Sequence, residues 1–194
     1  MAGDNFMWIP VAAKGGLLTG KAAQPEGETT DKWFKKYKAF ELKEFGFGVK
    51  QAETTGSAST GAGAGKVEFE EFTIGKGVDL ATVPLYQACV AGAHFDTVMI
   101  AIRKAGGAGL IYAQFMFRQV FVKTVDHEGG SGDEPPTENI TFKFGAMGIR
   151  YVQQLADGGQ GTKMEGMWNC TDNSPSLTVA GLGPAPPYIL NVTA

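Results

Sequence analysis

Residues 96–144 read DTVMIAIRKAGGAGLIYAQFMFRQVFVKTVDHEGGSGDEPPTENITFKF, and their alternation decides the fold class. Val98, Ile100 and Ile102 alternate with Met99, Ala101 and Arg103, the period-2 pattern of a strand ending at Ile102-Arg103-Lys104. Ala105-Gly106-Gly107-Ala108-Gly109 then reverses the chain into a long strand from Leu110 to Lys123. A second polar, Gly-rich loop leads to Thr137-Glu138-Asn139-Ile140, where Ile140, Phe142 and Phe144 alternate with Asn139, Thr141 and Lys143. In the long strand Ile111, Phe115, Phe117 and Phe121 share one parity. Tyr112, Gln114, Met116, Arg118, Val120 and Val122 share the other. Apolar residues on both faces require cover on both sides, by a core and by either a helix or a neighbouring subunit.

Working outward, the rest of the chain supports a mainly β fold. Its 28 glycines among 194 residues are about twice the usual share, which suggests many turns. Phe6 to Val11 reads as a first strand, and the stretch over residues 14–38 as a long loop. Phe40 to Lys50 and Lys66 to Ile74 each switch parity midway, at Lys43-Glu44 and Glu70-Glu71, as a bulge would require. Between them, residues 49–65 read as a second long loop, polar and low in complexity through Gln51 to Gly65. One helix is expected: Thr82 as N-cap, Pro84 in its first turn, Gly92 at its end, and Leu85, Ala88 and Cys89 as its apolar stripe. Two more strands follow, at Ile149 to Leu155 and Met164 to Cys170. The organisation is one domain over 1–173 and an extended tail over 174–194. That tail holds Pro175, Pro184, Pro186 and Pro187, with an edge strand conceivable at Tyr188 to Val192.

Charge and motifs exclude several classes of chemistry. A net charge of −3 gives no footprint for nucleic acid, and no apolar run is long enough for a membrane-spanning helix. Asp4 precedes any apolar stretch, so the N-terminus is not a conventional signal peptide; export would use a route without a cleaved leader. Gly65-Lys66 lacks both the glycine five residues earlier and the following hydroxyl of a phosphate loop, since Thr60 and Val67 stand there. His94 and His127 are the only histidines and belong to no metal-ligand cluster; Cys89 and Cys170 read as free thiols. The aromatic and lysine run Trp33 to Lys38 reads as an edge segment whose charges discourage strand pairing, rather than a nucleic-acid platform. No catalytic residue, metal or cofactor is expected.

The IRKAGG, GGSG and TENITFKF elements, in this order and spacing, resemble the Hcp (haemolysin-coregulated protein) family of type VI secretion. Gly65-Lys66-Val67, Pro84, Leu85, Ala88-Cys89 and Val152-Gln153 match further family positions. The resemblance implies a compact β-barrel of two packed sheets with one short α-helix and extended loops. It also implies a hexameric ring that stacks into a secreted tube, with effectors in the lumen and a spike protein and contractile sheath as partners. By position, Glu44 and Gly46 match a segment facing the lumen, with Phe45 and Phe47 turned away. Val49, Lys50, Gln51, Lys66, Arg103 and Lys104 match ring-to-ring or subunit contacts. Two departures stand out, a longer 14–38 segment and a longer tail. The rival readings are a phage-like contractile tail tube protein, a small hydrolase and a monomeric binding barrel.

Overall fold

The computed structural model describes residues 3–15, 23–53, 64–104, 109–131 and 135–189. In chain order the strands are β1 (Gly3–Trp8), β2 (Phe40–Glu41), β3 (Glu44–Gly46), β4 (Val49–Glu53), β5 (Ala64–Phe69) and β6 (Phe72–Gly77). The helix α1 (Thr82–Ala91) follows, then β7 (His94–Lys104), β8 (Ile111–Glu128), β9 (Thr137–Lys143), β10 (Ala146–Gln154) and β11 (Gln160–Asn169). Nine strands form one sheet in the order β2-β1-β7-β8-β9-β6-β3, with β10 joined to β8 and β11 to β10. β4 and β5 form a separate antiparallel hairpin. The fold is mainly β, two sheets and one helix, as expected.

The parity switches at 43–44 and 70–71 are where the chain changes partners. β2 pairs with β1 and β3 with β6, at opposite ends of the strand order. The link between them donates from Leu42 to the Asn5 carbonyl at 2.9 Å and from Lys43 to the Gly75 carbonyl at 2.8 Å. One short stretch thus spans the two ends of the sheet. At Glu70-Glu71 the chain leaves the β4–β5 hairpin and enters the main sheet as β6. The hairpin also corrects the 49–65 loop: its two ends pair as strands, while residues 54–63 lie outside the described ones.

β8 is corrected in detail. Residues 113–118 pair with β10 along the edge that residues 121–128 give to β9. Between them Gln119 takes φ 52°, a left-handed conformation rare outside glycine, while the register to β7 runs on unbroken from Phe95–Val120 to Thr97–Arg118. The core-facing parity changes across this kink. Val120 and Val122 therefore join Phe115 and Phe117 at the core, while Phe121 is left 39% exposed. Gly145 sits opposite, where a Cβ would lie 2.6 Å from Gln119 Oε1, so a larger residue in the β9–β10 turn would have to displace that side chain.

The main core stacks Phe72 between Phe117 and Phe142 and takes Leu85 and Ala88 from α1. The helix ends at Gly92 (φ 62°), as its sequence requires. Its start differs, because Thr82 is the first helical residue and Ala81 the N-cap, without a side-chain cap. The Thr82 hydroxyl is engaged elsewhere: it accepts from the Asp79 amide at 3.0 Å and donates to Glu138 Oε1 at 3.1 Å.

A second cluster lies on the other face of β1, β7 and β8. Phe6, Trp8, Met99, Ala101, Ile111 and Met116 are covered there by Phe34 and Ala39 and by Leu177, Ala185, Tyr188 and Ile189. The cover that the doubly apolar β8 demands is therefore neither helix nor neighbour. It comes from the long 23–39 segment and the tail.

Candidate assembly surfaces

Among the described residues, two uncovered apolar faces remain on different elements. The residues of α1 carry no charge, and beside the buried stripe Val83 (60% exposed), Tyr86 and Val90 point outward, extended by Leu80. Scattered apolar side chains on a surface need no explanation, but four on one uncharged helix and its approach make a patch. The second face is a groove of about 350 Å³ between the β4–β5 hairpin and the β10–β11 hairpin. Phe47, Val49, Val67, Phe69, Ile149 and Trp168 are among its lining residues. Val49 is 60% exposed, and Tyr151 and Met164 continue the apolar surface beyond its rim.

The residues singled out from sequence fall into two groups. Glu44 and Gly46 lie on β3, with Glu44 exposed and its side chain lying over Gly75, where a Cβ would come 2.7 Å from Glu44 Cγ. Phe45 and Phe47 face the opposite way and pack on Phe115 at 5.7 and 5.0 Å. Val49, Lys50 and Gln51 lie together on β4 and Lys66 on the paired β5. The Lys50 ammonium pairs with Glu70, which raises its pKa. Arg103 and Lys104 close β7 elsewhere, and both have partners within the chain. Lys104 Nζ donates to Gln154 Oε1 at 2.6 Å.

The Arg103 guanidinium reaches Asp31 at 2.6 Å and Asp4 at 2.8 Å and lies over the Phe6 ring at 5.1 Å. Asp31 in turn accepts from the Trp33 and Phe34 amides at 2.9 and 3.1 Å. One charge thus pins the 31–34 turn, and with it Phe34, onto the sheet. Burial alone would raise the Asp31 carboxyl, but the hydrogen bonds from Arg103, Trp33 and Phe34 outweigh it and hold the pKa below the ordinary 3.8. A depressed carboxyl stabilises the fold above its unfolded pKa and loses that contribution as pH falls through the folded value. Asp31→Asn is therefore expected to cost about 1–3 kcal/mol at pH 7 and clearly less at pH 3 in urea titrations. An equal cost at both pH values would contradict this role.

Sequence reasoning missed a group of buried polar residues. Lys76 and Glu138 are both fully buried and pair at 2.5 Å, and the Lys76 ammonium also reaches Asp79 at 2.6 Å and the Gly77 carbonyl at 2.9 Å. Glu138 is the glutamate of the TENITFKF stretch, so that element ties β9 and β6 to the start of α1. Gln114 and Arg118 are each 2% exposed, on the β8 face covered by the tail.

This arrangement has counterparts. Residues 16–151 match the family described as type VI secretion system effector, Hcp. Protein hcp1 of Pseudomonas aeruginosa is 33% identical over 110 residues, 56% of this chain and 68% of that protein. The chain belongs to the Hcp family. Among solved structures, one described as a type six secretion system protein superposes with a TM-score of 0.75 at 26% identity, covering 89% of this chain and 99% of that one. Hcp1 from Salmonella typhimurium has the same fold, with a TM-score of 0.66 at 22% identity over 89% and 98% of the two chains. As an Hcp protein the chain is a tube subunit of type VI secretion, and its role is structural. Its family match ends at Tyr151, before β11 and the tail.

Proposed function

We propose that this Hcp chain closes into a homohexameric ring, that rings stack into the secreted tube, and that the lumen carries effector proteins. The observation that supports this most directly is the pair of different uncovered apolar faces, on α1 and in the groove between the two hairpins. A closed ring is built from a heterologous contact in which one patch meets a different patch on the next copy. A subunit with two such faces meets that requirement. Among the described strands β3 ends the main sheet, with one side open to pairing, and it carries Glu44 and Gly46 toward the lumen in this reading. The β4–β5 hairpin, with Val49, Lys50, Gln51 and Lys66, serves the contact between stacked rings. Arg103 and Lys104, at the end of β7, belong to the subunit contacts in the same reading. The spike protein and the sheath meet the ends and wall of the tube.

Native mass spectrometry and negative-stain electron microscopy of the purified chain test the reading. The expected species is six times the 20.5 kDa chain, seen as rings and stacks of rings. A monomer at every concentration up to the millimolar range would overturn it.

A further inference from the structure

β8 carries opposite charge at its two ends. Residues 32–38 hold four lysines and no acid, whereas residues 126–138 hold five acids and no lysine or arginine. Trp33 and Lys36 lie beside Gly109 and Ile111 at the start of the strand, the Trp33 indole nitrogen 3.9 Å from where a Cβ on Gly109 would stand. Asp126 and Glu128 close the other end. At about 3.3 Å per residue the 18-residue strand puts roughly 50 Å between the two, so the chain cannot bring them together within itself.

Both ends are left with free charge. Lys32, Lys35 and Lys36 are exposed and have no ionic partner among the described residues. Of the acids in residues 23–38, Glu26 is held by Lys38 and Asp31 by Arg103, which leaves Glu28 against three lysines. Lys32 lies over the Trp33 ring at 5.6 Å and Lys36 over the Tyr37 ring at 4.9 Å, contacts that leave the ammonium charge unneutralised. Asp126 and Glu128 are likewise exposed without an ionic partner among the described residues, Glu128 accepting a long 3.5 Å bond from Asn139. His127 between them turns Nδ1 to Glu138 at 3.5 Å, and the neighbouring cations Lys76 and Lys123 are held by Glu138 and Asp79 and by Glu71. Both patches are fixed in place. Arg103 and Asp31 pin the turn that carries the lysines, and residues 126–128 pair with 137–139 of β9. Charges mounted on fixed elements lose little freedom in a contact.

We infer that the lysine end of one copy receives the Asp126–Glu128 end of another, so that copies join end to end along β8. Opposite ends of one molecule make a heterologous contact, which repeats with every copy added. In the reading proposed above, on which this inference rests, the apolar faces close the ring and the charged ends add to the contact between rings. Exposed ion pairs are individually weak. Complementary charge sets orientation and encounter more than affinity, so this contact fixes which end meets which.

The test is charge reversal in the full-length chain. Lys32→Glu with Lys35→Glu and Lys36→Glu, or Asp126→Lys with Glu128→Lys, is expected to leave the thermal melt and the native mass unchanged and to abolish stacking in electron micrographs. All five substitutions in one chain restore opposite charge across the contact and are expected to restore the stacks, which a merely damaged surface would not do. If reversal of the lysines abolishes stacking and reversal of the carboxylates does not, the lysines serve an acidic partner of another kind and the inference is overturned. In parallel, a carbodiimide, which joins an ammonium to a carboxylate at zero length, is applied to an equal mixture of light and heavy-isotope chains. Peptides linking residues 32–36 to 126–128 with one label of each kind are expected, in falling yield as salt screens the charges. Their absence overturns the contact whether or not six-membered rings form. Their presence without such rings upholds it and counts against the ring alone.

Discussion

Replacing Glu138 by alanine is expected to lower the thermal midpoint of the isolated subunit by roughly 6–20 °C. Glu138 and Lys76 have no exposed side-chain surface, and their 2.5 Å contact is the shortest of three that hold the ammonium. Removing one partner of a buried pair leaves the other charge uncompensated, at about 3–5 kcal/mol. For 150–250 residues each kcal/mol moves the midpoint by about 2–4 °C. Asp79 is 15% exposed and sits on the loop before α1, so it compensates Lys76 only in part. The same variant removes the acceptor of the Thr82 hydroxyl and frees the start of the helix. The pair itself need not stabilise. Lys76→Met with Glu138→Leu, apolar and similar in volume, is expected to recover most of the loss. Circular dichroism melts of the three variants decide the matter. A single substitution costing under about 1 kcal/mol would mean that the cluster is solvated rather than buried.

Which parts of this were legible beforehand follows from what leaves a periodic trace. Ile140, Phe142 and Phe144 announce β9 because every second residue meets the core. The two parity breaks at 43–44 and 70–71 were visible for the same reason but read as bulges, whereas the chain changes partners there. Gly92 ends α1 visibly, since the left-handed residue there favours glycine. The double-sided apolarity of β8 was readable too, but its cover was not. Phe34 and Ala39 reach the sheet from an irregular segment, and Leu177 and Tyr188 from a proline-rich one, so neither shows a period. Arg118 and Gln114 look like the wet side of a strand because their partners are carbonyls about 65–75 positions away, which no residue type signals. Lys76, between two glycines, looks solvated for the same reason. Gln119 hides the face swap in β8, because a left-handed non-glycine residue has no marker in the sequence. Of the two exposed apolar faces, the one bearing Val49 was singled out, whereas the outward side of α1 was hidden by the attention its inward stripe draws.

Stability and assembly are separable in this subunit, and the largest single effect is expected from Phe72→Ala. Its ring is fully buried, stacked 4.1 Å from Phe117 at 17° and 4.5 Å from Phe142 at 9°, between β8 and β9. Alanine there leaves a cavity that the crossing strands cannot close, at about 3–5 kcal/mol. Each lost aromatic pair adds about 0.5–1.5 kcal/mol in a double-mutant cycle with Phe117→Leu or Phe142→Leu. Such a variant loses rings because it loses subunits. Val83→Asp and Val49→Asp should do the reverse. Both side chains are 60% exposed, one on α1 and one in the hairpin groove, and surface substitutions of this kind stay within about 0.5 kcal/mol. The acid at 83 also lies in the first turn of α1, where the helix dipole favours it. Buried without a partner in a ring contact, either carboxylate carries a penalty of several kcal/mol. Native mass should then show a folded monomer with an unchanged melt. If both variants still form six-membered rings, the two apolar faces do not meet, and the ring must close through the open edge of β3 or of β11 instead.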